Sequence, residues 1–90
     1  MKQTAKQEHI RQLFELVTSL DNVGDCQALF DDLCTRKEVA NMAERLYAAQ
    51  LLLEGKTYSQ VISETSISSA TLSRISQCVQ YGTGYAKLLK

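Results

Sequence analysis

No proline occurs anywhere in this chain of 90 residues, and no stretch alternates β-branched with polar residues long enough to make a strand. Nothing therefore interrupts a helix by a missing amide or a ring clash. Apolar residues recur instead at spacings of three and four, the period of a helix with one buried side. The fold class expected is all-α.

The first helix runs from about Thr4 to Ser19, with Ile10, Leu13, Phe14, Val17 and Leu20 in its apolar series. Asp21-Asn22-Val23-Gly24 breaks it, and Asp25 is placed to cap a second, short helix containing Ala28, Leu29, Phe30 and Leu33. Thr35-Arg36-Lys37-Glu38 is a capping-box signature, in which a hydroxyl and a carboxylate satisfy each other's free backbone N–H groups. It opens a long third helix striped by Val39, Met42, Ala43, Leu46, Ala49 and Leu53, with Tyr47, Leu51 and Leu52 widening the stripe, and Gly55 stops it. A helix apolar beyond one stripe is either central or shared with another subunit. In a chain this small, which buries only a modest fraction of its surface alone, sharing favours a dimer.

From Thr57 the sequence reads TYSQVISETSISSATLSRISQ. Serine-rich sequence usually makes a linker, because it buries too little apolar surface to offset the entropy of ordering. Here Val61, Ile62, Ile67, Leu72 and Ile75 are spaced too regularly for that. Thr57 can cap a helix from Tyr58 to about Thr65, with Val61 and Ile62 inward. Ser66 falls in the turn, Ile67 plugs the corner, and Ser68 can cap a second helix from Ser69 to about Gln80 with Leu72, Ile75 and Val79 inward. Two helices so joined form a helix-turn-helix. Its second helix offers Ser69, Ala70, Ser73 and Gln77 outward with Arg74 on the flank. Small residues at its first turn admit close entry to a major groove, and hydroxyls and Gln bond to base edges, phosphates or bridging water. Three positions depart from the common pattern: Ser66 stands where glycine is frequent, Ile62 where a small residue is, and Thr65 replaces an apolar anchor. The bland alternative is a solvated helical hairpin.

Net charge is zero, but residues 1–54 hold six Lys/Arg against nine Asp/Glu, while residues 55–90 hold Lys56, Arg74, Lys87 and Lys90 against Glu64 alone. A basic back end suits approach to a polyanion. With 44% apolar and 22% charged residues the composition is that of an ordinary globular chain. No apolar run is long enough to cross a bilayer, and MKQTAKQEHIRQ lacks the apolar core of a signal peptide. Cys26, Cys34 and Cys78 are too scattered for a disulfide framework, so a reduced, cytoplasmic protein is expected. Those cysteines with His9 lack the paired spacing of a zinc site, and no nucleophile, phosphate-loop or paired-carboxylate spacing marks an enzyme. Neither a metal nor a catalytic residue is assigned. Asp25, Asp31 and Asp32 read as a solvated face, Tyr81 and Tyr85 as packing at a helix end.

LLLEGKTYSQVISETSISSATLSRISQCVQYGTGY resembles the Trp-repressor superfamily, most closely its YerC/YecD branch of Trp-repressor-like proteins. The likeness spans about residues 30–85, and SSATLSRI following LLLEGKTYSQ is its most telling part. The resemblance implies an intertwined bacterial homodimer in which the N-terminal helices of both chains share a core and two helix-turn-helix heads meet successive major grooves. It implies a transcription regulator reading bases largely through water, which suits a helix of Ser, Ala and Thr. It also places the family's tryptophan pocket on Thr35, Arg45 and Arg74. Tryptophan-binding members carry glycine after the recognition-helix arginine, where this chain has Ile75, which would fill the space the indole needs. No cofactor is assigned and tryptophan is not expected as corepressor; Arg45 and Arg74 are expected to pair with local carboxylates or phosphate.

The sequence thus predicts a single domain over 1–90: a helical dimerisation core over 1–54, a helix-turn-helix over 55–80 and a C-terminal end over 81–90, where YGTGY marks loosening order. The expected function is sequence-specific binding of double-stranded DNA by a homodimeric transcription regulator of the repressor type, through Lys56, Thr57, Ser68, Ser69, Ala70, Thr71, Ser73, Arg74 and Gln77. The alternative is a helical protein–protein interaction module that kept the fold and lost DNA.

Overall fold

The computed structural model describes residues 2–89, with side chains from residue 5 onward. Met1 and Lys90, the latter counted in the basic balance, lie outside the described residues. The chain forms α1 (Lys2–Ser19), α2 (Val23–Leu33), α3 (Arg36–Leu53), α4 (Tyr58–Glu64), α5 (Ser69–Tyr81) and α6 (Gly84–Leu88), with no strand among the described residues. It divides into two units, Met1–Thr35 and Arg36–Lys90.

In the first unit, Arg11 on α1 donates to Glu8 one turn back and, at 2.7 Å, to Glu15 one turn on. These pairs are solvent-exposed and contribute little to stability. The cap of α2 is Asn22, not Asp25. Asn22 is extended (φ −149°, ψ 157°), and its Oδ1 accepts the Asp25 N–H at 2.7 Å while its Nδ2 donates to Asp25 Oδ2 at 3.0 Å. An asparagine three residues ahead satisfies the free amide directly, which leaves Asp25 in the first turn, where the positive end of the helix favours its charge. The helix therefore starts at Val23 and takes in Gly24, which the sequence assigned to the break. No described residue of this unit is buried: Ile10, Leu13, Phe14, Leu16, Val23 and Leu33 are all exposed.

The second unit holds the core. Ala48, Ala49, Leu51, Val61, Leu72 and Ile75 are buried together, with Leu52, Ile67, Val79, Tyr85 and Leu89 packed around them. The long helix α3 is the platform, touching α4, α5 and α6. It begins directly after Thr35, where the capping signature places it. Its end is set by Gly55 at φ +91°, whose N–H donates to the Leu52 carbonyl while the Lys56 N–H donates to the Leu51 carbonyl, both at 3.0 Å. That pair of bonds closes the last helical turn, and the left-handed residue it requires is one that only glycine adopts freely.

Three expectations change here. The buried side of α3 runs through Ala48, Ala49 and Leu51, whereas Leu46 of the predicted stripe is exposed. Alanines lie there because helices crossing closely leave no room for longer side chains. On α4, Val61 is buried but Ile62 is exposed, since neighbours in a helix point about 100° apart and a helix of two turns can turn only one of them inward. The C-terminal end does not loosen. Gly82 closes α5 with its N–H on the Cys78 carbonyl at 2.9 Å, and a Cβ there would lie 2.6 Å from that oxygen, so glycine fits where a side chain would not. Past this tight exit α6 packs back on α3 and α5, with Tyr85 and Leu89 against the core.

Candidate nucleic-acid interface

Helices α4 and α5 and the turn between them form the helix-turn-helix that the serine-rich stretch predicts, and its hydroxyls do the local work of ending and starting helices. The Gln60 N–H donates to Thr57 Oγ1 at 3.2 Å, and the Thr57 N–H donates to Gln60 Oε1 at 2.8 Å, a complete capping box for α4. The Thr71 N–H donates to Ser68 Oγ at 3.2 Å at the start of α5, and Ser68 Oγ lies 3.1 Å from Thr71 Oγ1. Such caps stabilise a helix by about 1 kcal/mol each.

Inward, α5 buries Leu72, Ile75 and Ser76, the last accepting from Gln80 Nε2 at 3.4 Å. Outward, Ser69, Ala70, Ser73, Arg74 and Gln77 are all exposed on one helix, with Thr71 half-buried beside them. Lys56 and Thr57 are exposed where α4 begins. Every residue assigned to DNA contact thus sits on α5, its cap, or the start of α4. No carboxylate belongs to α5.

The turn is held from outside the motif. Ser66 donates to Glu44 Oε1 on α3 through its backbone N–H at 3.3 Å and its hydroxyl at 3.0 Å. Thr65 Oγ1 donates to the Val61 carbonyl at 2.8 Å and accepts the Ile67 N–H at 3.4 Å, so the position read as a missing apolar anchor ties off the end of α4 instead. One helical turn along α3 from Glu44, the Tyr47 hydroxyl lies 3.4 Å from Glu64 Oε1. The Glu64 carboxylate holds the Tyr47 hydroxyl above its ordinary pKa, with smaller contributions from desolvation and from Glu54 and Glu44. Glu44 was not singled out from sequence, and Tyr47 was read only as widening the apolar stripe of α3. The 22 residues separating Glu44 from Ser66 hide the contact from any local pattern; the absent turn glycine was its one signal.

The residues matched to the family's tryptophan pocket divide. Thr35 closes the first unit; Arg45, Arg74 and Ile75 belong to the second. Arg45 and Arg74 are exposed, and among the described residues neither is in an ion pair; of the two partners expected for them, carboxylate or phosphate, no carboxylate is found there. Both guanidiniums extend from helices into solvent, where a lone surface pair gains too little to fix two long side chains. Ile75, only 3% exposed, is a core residue. An apolar groove of about 430 Å³ does exist, lined by Leu46, Cys78 and the α5–α6 junction through Leu89, and it includes none of those four residues. Among the described residues no three of His, Cys, Asp and Glu gather as metal ligands would, and no helix is long and apolar enough to cross a membrane.

An all-helical chain with a capped helix-turn-helix packed on one long platform helix is a class of architecture in its own right. The model of the Trp repressor protein family matches residues 8–90, and the chain belongs to that family. It is 43% identical over 75 residues to the Bacillus subtilis (strain 168) protein described as uncharacterized protein YerC, covering 83% of this chain and 72% of that one. Two crystal structures share its fold at a TM-score of 0.85. One, from Staphylococcus aureus, bears a provisional Trp-repressor assignment and is 34% identical, covering 91% of this chain and 83% of that one. The other, a TrpR-like protein from Eubacterium eligens, is 32% identical, covering 90% and 84%.

Proposed function

We propose that this chain is a cytoplasmic, sequence-specific DNA-binding transcription regulator of bacteria that acts as a homodimer, and that it is a regulator rather than an enzyme. The observation that carries the reading is the split of α5: one side is locked into the core through Leu72 and Ile75, and the other is a rigid, exposed row of Ser69, Ala70, Ser73, Arg74 and Gln77 without a carboxylate. Such a row enters a major groove closely, Arg74 contacts phosphate or guanine, and the hydroxyls bond to phosphates and to water at base edges. Lys56 and Thr57 at the start of α4 add backbone contacts. Membership of the Trp repressor protein family supports the same reading. The exposed apolar residues of α1 in the first unit are a surface a second copy would cover, and so, within the second unit, are Leu46 and Leu88 along the α3–α6 groove. Residues 1–54 then serve as the dimerisation core and 55–80 as the reading head, presented to half-sites about one helical turn apart.

Tryptophan is not its effector, because Ile75 already occupies the core position beside Arg74. Calorimetry with L-tryptophan is expected to show no stoichiometric binding; a 1:1 heat per protomer would overturn this part of the reading. The DNA role is tested by titrating a mixed-sequence duplex across salt concentrations. Phosphate contacts make affinity fall steeply as salt rises, by a slope of about 0.9 per phosphate neutralised. A flat response would favour a protein-binding module on the same fold.

A further inference from the structure

The α4–α5 turn does without the residue that such turns often use. Glycine is favoured where the backbone takes positive φ, yet Ser66 stands at this turn, and among the described residues only Gly55 has positive φ. The turn runs extended instead, with Thr65 at φ −131°, ψ 171°. An extended exit does not fold its amides back onto the last turn of α4, so other acceptors must take them. Ile67 uses Thr65 Oγ1 at 3.4 Å. Ser66 uses α3: both its N–H, at 3.3 Å, and its hydroxyl, at 3.0 Å, converge on the single oxygen Glu44 Oε1. Glu44 lies one helical turn before Ala48, which is fully buried, so the carboxylate is carried on a helix anchored in the core.

We propose that Glu44 is a positioning residue for the reading helix: its carboxylate clasps Ser66 and thereby fixes the turn, and through it the angle at which α5 meets DNA. The inference rests on the DNA-binding role proposed above. Ser68, the cap of α5, is only two residues beyond Ser66, and Ser69 and Ala70 follow at once. A turn that swings loose moves all of these relative to α3, while the phosphate-facing charges stay on the protein. The clasp therefore governs discrimination between sequences more than attraction to DNA. The acceptor oxygen, not the charge, is what the geometry demands, so Glu44→Gln retains function where Glu44→Ala does not.

The test measures affinity for a duplex recovered by selection from genomic DNA and for a scrambled duplex of equal length, using wild type, Glu44→Ala, Glu44→Gln and Ser66→Ala. Loss of two hydrogen bonds to a carboxylate is expected to weaken binding of the recovered duplex by about tenfold in Glu44→Ala. The scrambled duplex should be bound within about twofold of wild type, with the same salt slope, because no cationic side chain is removed and contacts to phosphate alone tolerate a change in helix angle. Glu44→Gln should recover most of the loss, and Ser66→Ala, which keeps the amide bond, should fall between. Equal weakening on both duplexes, as from simple destabilisation, would overturn the inference, and so would no weakening on either. Amide spectra of the free protein read the clasp without DNA: Glu44→Ala should shift the Ser66 amide and speed its hydrogen exchange. If wild type binds neither duplex, the DNA-binding reading fails and these spectra judge the clasp alone; an unchanged Ser66 amide refutes it whatever the DNA result.

Discussion

In the second unit Leu72 and Val61 are fully enclosed, whereas in the first Phe14 leaves 61% of its surface exposed and Val23 81%. Both units are helical, and both carry apolar residues at helical spacing. They differ in whether those residues have anything to pack against within their own unit. Residues 36–89 fold a long helix under three short ones and enclose a small core. Residues 2–35 form two helices in which no described side chain is buried, so their apolar stripe stays at the surface. Under the homodimer reading proposed above, the first unit would supply association, while the second presents the exposed face of α5 from its own core.

The largest expected effect follows from that core. Leu72→Ala should cost about 2–5 kcal/mol, the usual loss for emptying an enclosed leucine site, and in a chain this small it should abolish the cooperative thermal transition. Phe14→Ala removes as large an apolar group from the first unit, yet should act differently. It should weaken self-association by about tenfold or more and make the melting temperature depend more strongly on protein concentration, as sedimentation and melts at two concentrations would show. If Phe14→Ala instead lowers stability independently of concentration, the contrast between the units is wrong. Gly55→Ala should come next, costing about 1–2 kcal/mol in a denaturant titration, because the left-handed turn at φ +91° opposes a Cβ although nothing crowds it. The smallest effect belongs to Tyr47→Phe. With the hydroxyl held by Glu64 above its ordinary pKa, the folded state keeps its proton longer than the unfolded chain does. The resulting stabilisation is present below the ordinary tyrosine pKa and is lost as pH rises through the raised one. Melts across the alkaline range should therefore fall slightly less steeply in Tyr47→Phe than in wild type.

Much of this could be read from the residues in order. The helix-turn-helix and the caps Thr57 and Ser68 were legible because a hydroxyl before a periodic apolar run has one economical use, and the structure puts it to that use. The family was legible from SSATLSRI after LLLEGKTYSQ. Where local chemistry offered two equivalent solutions, the reading went astray. Asn22 and Asp25 are both good caps, and only the backbone shows that Asn22 is the extended one. On α3 nearly every direction is apolar, so periodicity could not choose Ala48 over Leu46. Gly82-Thr83-Gly84 has the composition of a fraying end, but a glycine that leaves a helix tightly can also return the chain to the core, as α6 does. The Glu44–Ser66 clasp was beyond any local pattern, because it depends on where α3 and the turn meet.

The central claim is that the exposed row on α5 reads DNA, and it is tested most directly by selecting sheared genomic duplex DNA on the purified protein without added ligand, alongside Arg74→Ala. The account predicts a shared palindromic motif with half-sites about one helical turn apart, enriched by wild type and lost or much weakened in the variant. No enrichment even at low salt, or an identical motif recovered by Arg74→Ala at undiminished strength, would contradict it.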